Sequence, residues 1–323
     1  MRCRRSIKSN IIALSQAALL TASGGIWAEP AGPPVKRARP PQWPDEVRGV
    51  FFDDVREKLV GPRPNYGTSS EAAISAHATG ISPAGAAANP SNAAWSKLID
   101  AETIETEIKR IAQAVAGDVA VPGEFQGGAY KRCRRHFSVL AVLFAVSGEY
   151  DGAVRWSEVA PALRDVFARA GYNCKVGTDQ TYREAVQRNQ DLAELVRGGR
   201  PPVASAERMA KWAEVADRAP LMQRLEIAHQ ERLTKWLSNE REFKRHRDEV
   251  RHEAQLVAAF ADVIGREGFE YWDDEQYAEN TSNLRKAGSE MAAAAELDNY
   301  ERAKKAIGRA TKACNDCHDG YRG

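Results

Sequence analysis

The sequence predicts an all-α protein, two up-down-up-down four-helix bundles in tandem after an N-terminal region too poor in apolar residues to build a core. Three observations predict it. From Trp95 onward apolar residues recur at helical spacing, and the period-two alternation of strands is almost absent. Clusters of Gly and Pro fall between the periodic segments. Third, the stretch from Leu140 to Trp156 parallels that from Leu256 to Trp272, so that Phe144, Gly152 and Trp156 match Phe260, Gly268 and Trp272 at one constant offset. With a two-residue adjustment Glu124 and Phe125 pair with Glu242 and Phe243, and Tyr182 and Ala185 pair with Tyr300 and Ala303.

The first segment, residues 1–28, reads as a secretory signal peptide. Arg2, Arg4, Arg5 and Lys8 form its basic start, Ile11 to Leu20 its apolar centre, and Ala28 a small residue at the cleavage point. That apolar run is too short to span a bilayer, and no later run is long enough, so no transmembrane segment is expected in the mature chain. The expected location is the periplasm or an equivalent exported compartment. Removal of the segment turns the formal charge from +2 to about −2, since 42 basic residues then face 44 acidic ones. A basic surface for nucleic acid is therefore not expected.

Residues 29–94 are rich in Pro, Ala, Ser and Gly and are expected to be flexible, with one short helix between Asp45 and Val60 carrying Val47, Phe51, Val55 and Leu59 on one face. The first bundle is expected over 95–200, with helices near 95–116, 129–148, 158–172 and 180–197. The run GGRPP at 198–202 breaks the chain. A connecting helix is expected over 203–217, and the second bundle, within 203–323, has helices near 220–238, 240–266, 274–295 and 297–320. In its second helix Phe243, Val250, Val257 and Ile264 recur every seven residues and mark a core stripe.

The chemistry lies at the C-terminus. Residues 314–318 read CNDCH, the spacing of covalent haem attachment. Two thiols three residues apart form thioethers to the two vinyl groups of one porphyrin, and the imidazole one residue further reaches the iron. On a helix Cys314, Cys317 and His318 project from one side. That side continues the stripe Tyr300, Ile307, Cys314 and Tyr321, flanked by Ala303, Ala310 and Cys317. A zinc site would want a second ligand pair and a thioredoxin-type motif a βαβ context, neither of which is visible. A plain disulfide between Cys314 and Cys317 is the remaining alternative.

The segment from Ala306 to Arg322 resembles the last helix of the cytochrome c′ family, four-helix bundles that carry CxxCH near the C-terminus. The resemblance is specific over that helix, extends over 205–323, and reaches the first bundle through the duplication alone. It implies one covalently attached haem c per chain, His318 as proximal ligand, and a basic residue four beyond the histidine, here Arg322. It also implies either one-electron transfer with a redox partner protein, at a six-coordinate iron, or binding of NO and CO at a five-coordinate one; neither role makes the chain an enzyme. Family members pair as homodimers, for which the first bundle would here substitute as an intramolecular pseudo-dimer.

In an up-down-up-down bundle the first and fourth helices are antiparallel, so the far face of the haem should meet the first turns of the helix that begins Pro220-Leu221-Met222. Met222 is the leading sixth ligand, with a core-filling role as its competitor. Leu221 or Leu225 over the iron would give the five-coordinate type, and His229, two turns on, would ligate only a deeper haem. His136, His246 and His252 sit among Arg and Glu and are expected at the surface. In the first bundle, Val196 to Arg200 stand where CNDCH stands in the second, and residues 95–200 contain no methionine, so no haem is expected there. Cys133 and Cys174, at neighbouring helix ends, are expected to pair as a disulfide.

Overall fold

Helical periodicity becomes helix throughout the described part of the chain. The computed structural model describes residues 94–202 and 211–322, all within one compact unit. The expected signal peptide, the 29–93 region with its short helix, and residues 203–210 lie outside the described residues. The elements are α1 (Ala101–Asp118), α2 (Tyr130–Gly148), α3 (Ala160–Asn173), α4 (Asp179–Val196), α5 (Arg218–Glu226), α6 (Glu240–Arg245), α7 (Arg247–Ile264), α8 (Glu275–Glu296) and α9 (Tyr300–Tyr321). Helix α5 runs on through a π-helical stretch, Ile227–Leu233, and a last turn, Thr234–Trp236. No strand occurs among the described residues, and none of their helices is long and apolar enough to cross a membrane.

Local chemistry explains the boundaries. Thr178, Asn239, Asp274 and Asn299 each accept a hydrogen bond from the backbone N–H three residues on, capping α4, α6, α8 and α9, a device worth about 1 kcal/mol each. Gly198, at φ 93°, carries the chain out of α4 in a conformation that costs other residues a Cβ clash. The expected connecting helix does not extend over 211–217. There a single 3-10 turn, Trp212–Glu214, forms instead, and its Trp212 packs on Trp95 with ring centroids 5.3 Å apart. The Arg266 guanidinium lies over both rings, 4.4 Å from Trp95 and 4.6 Å from Trp212.

The expected core stripe of the second bundle is buried at all four positions, Phe243, Val250, Val257 and Ile264. Two of the positions paired in the sequence make the same contacts in both halves, though Phe144 packs on Trp156 while Trp272 is exposed. Phe125 packs on Tyr182 and Phe243 on Tyr300. The Tyr182 hydroxyl donates to Val119 O and the Tyr300 hydroxyl to Leu237 O, each carbonyl ending the first helix of its bundle. The second and third helices cross at a glycine in both halves. A Cβ at Gly171 would lie 2.9 Å from Ser138 Oγ, and one at Gly288 would lie 2.7 Å from Ala258 N. Only hydrogen allows α8 to approach α7 this closely.

The two halves pack together. Helices α1 and α2 of the first meet α5 and α7 of the second, and the contact includes buried charges as well as apolar side chains. His252 is buried there and His136 nearly so, contrary to their expected surface position. Each sits where charge-rich helix faces from the two halves close on one another. Cys133 and Cys174 are both buried free thiols, so the expected disulfide is not formed. They occupy core positions at adjacent helix ends, and burial raises both, that of Cys174 to about 12.

Candidate functional site

Helix α9 carries the CNDCH sequence in its last two turns. Its fully buried line is alanine, Ala303, Ala306, Ala310 and Ala313, which lets it lie close against α8. Beside that line Tyr300, Ile307 and Cys314 are half-buried against the core, as the stripe predicted. Cys314 and Cys317 are free, half-buried thiols, while His318 and Arg322 are exposed. Burial, reinforced by Cys317, pushes the Cys314 thiol up to about 11; burial also raises Cys317, against the lowering influence of Arg218.

That influence places Arg218, in the first turn of α5, beside Cys317 in the last turns of α9. Further along the same pair of helices the His229 Nε2 and Thr311 Oγ1 atoms are 2.8 Å apart, and Tyr300 reaches Leu237 O. Helices α5 and α9 are thus antiparallel, with the start of one at the end of the other. Met222 lies between Arg218 and Leu225 on α5, half-buried against the core.

Between α5 and α9 the bundle is open. An apolar cavity lies there, lined from one side by Leu225, His229 and Leu233 and from the other by Ile307, Ala310 and Cys314, with Val257, Leu284 and Met291 as its floor. Helices α1 and α4 pack directly on each other, whereas α5 and α9 stand further apart and meet through side chains. Cys314 borders this cavity, so a flat apolar group attached at Cys314 and Cys317 would enter the bundle rather than lie on its surface. The two thiols and the imidazole suit a haem c, and the cavity beside Cys314 would have to widen between α5 and α9 to admit it.

Residues 266–322, which span α8 and α9, match the family model described as Cytochrome C′. Over this segment, its last two helices, the chain is similar to the cytochrome c′ family. No curated protein and no solved structure matches the chain significantly. The match contains all of CNDCH and Arg322 but ends short of α5, so Met222 and Leu225 come from outside it.

Around the CNDCH end of α9 the structure gathers residues that sequence reasoning did not single out. Tyr271, Tyr277 and Tyr321 form a cluster, with centroids 5.0 Å apart for Tyr271 and Tyr321 and 5.3 Å for Tyr277 and Tyr321. The Tyr321 hydroxyl donates to Asp274, which raises it to about 12, and the Tyr277 hydroxyl donates to Ile264 O at 3.2 Å. Arg218 lies over Tyr271 and pairs with Glu270 at 2.6 Å. These rings close the end of the bundle beside Cys317. The only sequence signal for them was the stripe position of Tyr321.

His229 and Cys314 are the ionisable side chains lining the cavity. Because the Thr311 hydroxyl donates to Ile307 O at 2.9 Å, the imidazole Nε2–H is the donor to Thr311 Oγ1. Burial lowers His229, which keeps the ring neutral. It sits on the π-helical stretch, whose widened turn is closed by the Thr234 hydroxyl donating to His229 O at 2.7 Å. Such stretches recur at functional sites.

Proposed function

We propose that this protein is an exported mono-haem c-type cytochrome that carries single electrons between redox partner proteins. Cys314 and Cys317 hold the haem and His318 is its proximal ligand, with Met222 as the sixth ligand and Arg322 as the basic residue beside the site. The observation that carries the reading is the opening between α5 and α9, apolar and bordered by Cys314, in the one bundle that has the CNDCH sequence. The first bundle, closed between α1 and α4 and without thiols on α4, supports one haem per chain. The charge pattern and apolar run of residues 1–28 support export to the periplasm or an equivalent compartment. The equivalent contacts of the two halves support their origin by duplication, with the haemless bundle as an internal pseudo-dimer partner. The protein is a carrier, and no catalytic residue is assigned.

The antiparallel placement of α5 and α9 supports Met222, since it brings the first turns of α5 to the end of the helix that carries His318. A second reading, a five-coordinate iron that binds NO or CO, draws on a different observation. Leu225 and His229 line the cavity and Met222 does not. Spectra of the ferrous protein with and without CO separate the two. Low-spin bands unmoved by CO, and lost in Met222→Ala, support electron transfer. A high-spin spectrum that shifts at once with CO supports the gas-binding reading and removes Met222 as a ligand.

A further inference from the structure

A cluster of buried charges lies where the two halves of the described chain meet. Arg224 of α5 is 5% exposed, Glu107 of α1 4% and Glu253 of α7 0%. The Arg224 guanidinium donates to Glu107 at 3.0 Å through Nε, and to Glu253 at 2.7 and 3.1 Å through its two terminal nitrogens. His252 Nε2 is 3.0 Å from the second Glu107 oxygen, and Arg232 pairs with Glu253. Glu107, His252 and Glu253 are close enough to share one cation, and Arg224 supplies that charge.

This cluster sits on the back of the helix that faces the haem cavity. Leu225, the next residue after Arg224, lines the cavity, and Met222 lies two residues before it. Neighbouring positions on a helix point about 100° apart, so the rotation that seats Arg224 between two carboxylates also decides which side chains α5 turns toward α9. Apolar packing of Leu221 and Leu225 also holds the helix, but it is less directional than the ion pairs. Helix α5 does not pack directly on α9, it widens into a π-helical stretch after Glu226, and it lies on α2 of the first bundle as well as on its own α7. Its N-cap residue, Asp217, is also held from the first bundle, by Arg134 at 2.8 Å and Lys175 at 3.0 Å. A guanidinium bonded to two carboxylates is directional, in contrast to the apolar contacts around it.

We propose that Glu107 of the haemless bundle is a positioning residue for the haem site. Through Arg224 it sets the rotation and register of α5, and so the side chain that α5 presents to the iron. The first bundle then acts as the scaffold of the distal helix. This rests on α5 being the distal helix, as in the function proposed above.

The test uses the full-length holoprotein. Glu107→Ala, Glu107→Gln and the conservative Glu107→Asp are compared with Thr103→Val, which cuts a different bond of the same interface, from Thr103 to Gln255. Folding is followed by far-ultraviolet circular dichroism, and the site by the ferrous spectrum and the rate of CO binding. Glu107→Ala is expected to change the CO-binding rate by about tenfold, within the usual range of coupling between sites, and to shift the spectrum. Glu107→Asp is expected to restore much of both, and Thr103→Val to leave both alone. If Glu107→Ala does not fold, Glu107→Gln carries the test, since it keeps the shape and removes the charge. A folded Glu107→Ala or Glu107→Gln protein with the parent spectrum and CO rate overturns the proposal, as does an equal shift from Thr103→Val. Met222→Ala, Leu225→Ala and His229→Ala check the underlying placement. If all three leave the spectrum and CO rate unchanged, α5 is not the distal helix and that placement fails, whatever Glu107 does.

Discussion

Replacing Arg224 by leucine tests how the two halves are held together. The substitution removes the group that, among the described residues, pairs with both Glu107 and Glu253, while leaving both carboxylates buried. Breaking a buried ion pair from one side costs about 3–5 kcal/mol, because the charge left behind has neither water nor partner. Here His252 still reaches Glu107 and Arg232 still reaches Glu253, so the lower end, about 3 kcal/mol, is expected. For a folded unit of this size that is a fall in Tm of about 6–12 °C. In the parent, Arg224 and His252 outweigh burial and hold the Glu107 carboxyl well below its ordinary range. Its contribution is therefore complete above the ordinary carboxylate pKa and is lost as pH falls toward its depressed folded value. Without Arg224, burial instead favours the protonated acid, so the Tm difference between parent and variant should narrow from pH 7 toward pH 4. The assay is thermal unfolding of the holoprotein, followed by circular dichroism and haem absorbance together. Substituting the whole cluster, Glu107→Leu, Arg224→Leu and Glu253→Leu, should recover most of the loss, since a packed apolar cluster needs no desolvation of charge. A fall of less than about 2 °C in the single variant, about half a kcal/mol, would refute the reasoning by showing that the cluster is solvated.

Other perturbations follow from the same geometry. His136 is pushed down to about 4, mainly by burial and next by Arg135. An unfolded His titrates near 6.5, so the unfolded chain binds the proton first and stability should fall as pH drops from 6.5 to 4; urea midpoints should show this slope, and His136→Gln should flatten it. Gly288→Ala places a Cβ 2.7 Å from Ala258 N and 2.8 Å from Ala254 O. The gain of about 1 kcal/mol in helix propensity is smaller than the cost of separating two backbones, so a net loss of stability is expected in thermal melts. Gly288→Val should cost far more and disturb the haem spectrum, because α7 and α8 together form the floor of the cavity.

Much of this architecture can be read from local pattern. The sevenfold spacing of Phe243, Val250, Val257 and Ile264 is a property of one helix, and all four residues are buried. The antiparallel run of first and fourth helices follows from short connections, and Arg218 indeed lies beside Cys317. The match to the cytochrome c′ family model falls on the segment that carries the motif. What the sequence hides is how the halves meet. His252 and Glu253 sit in an Arg- and Glu-rich stretch that reads as a solvated face, because the partners that bury them are far away in the chain. One signal was available: Glu107 follows Trp95 at the same distance as Arg224 follows Trp212, and Trp95 and Trp212 pack together in the structure. The misplaced disulfide has a similar origin. Neighbouring helix ends bring Cys133 and Cys174 near each other, but both remain free thiols in the core.

The most direct test of the account is the mass of the mature protein and of its tryptic peptides after expression with the cytochrome c assembly machinery. The account predicts a chain that begins after Ala28 and is heavier by one haem, with the added mass confined to the peptide that holds Cys314, Cys317 and His318. A chain without added haem, or with haem on any other peptide, would contradict it.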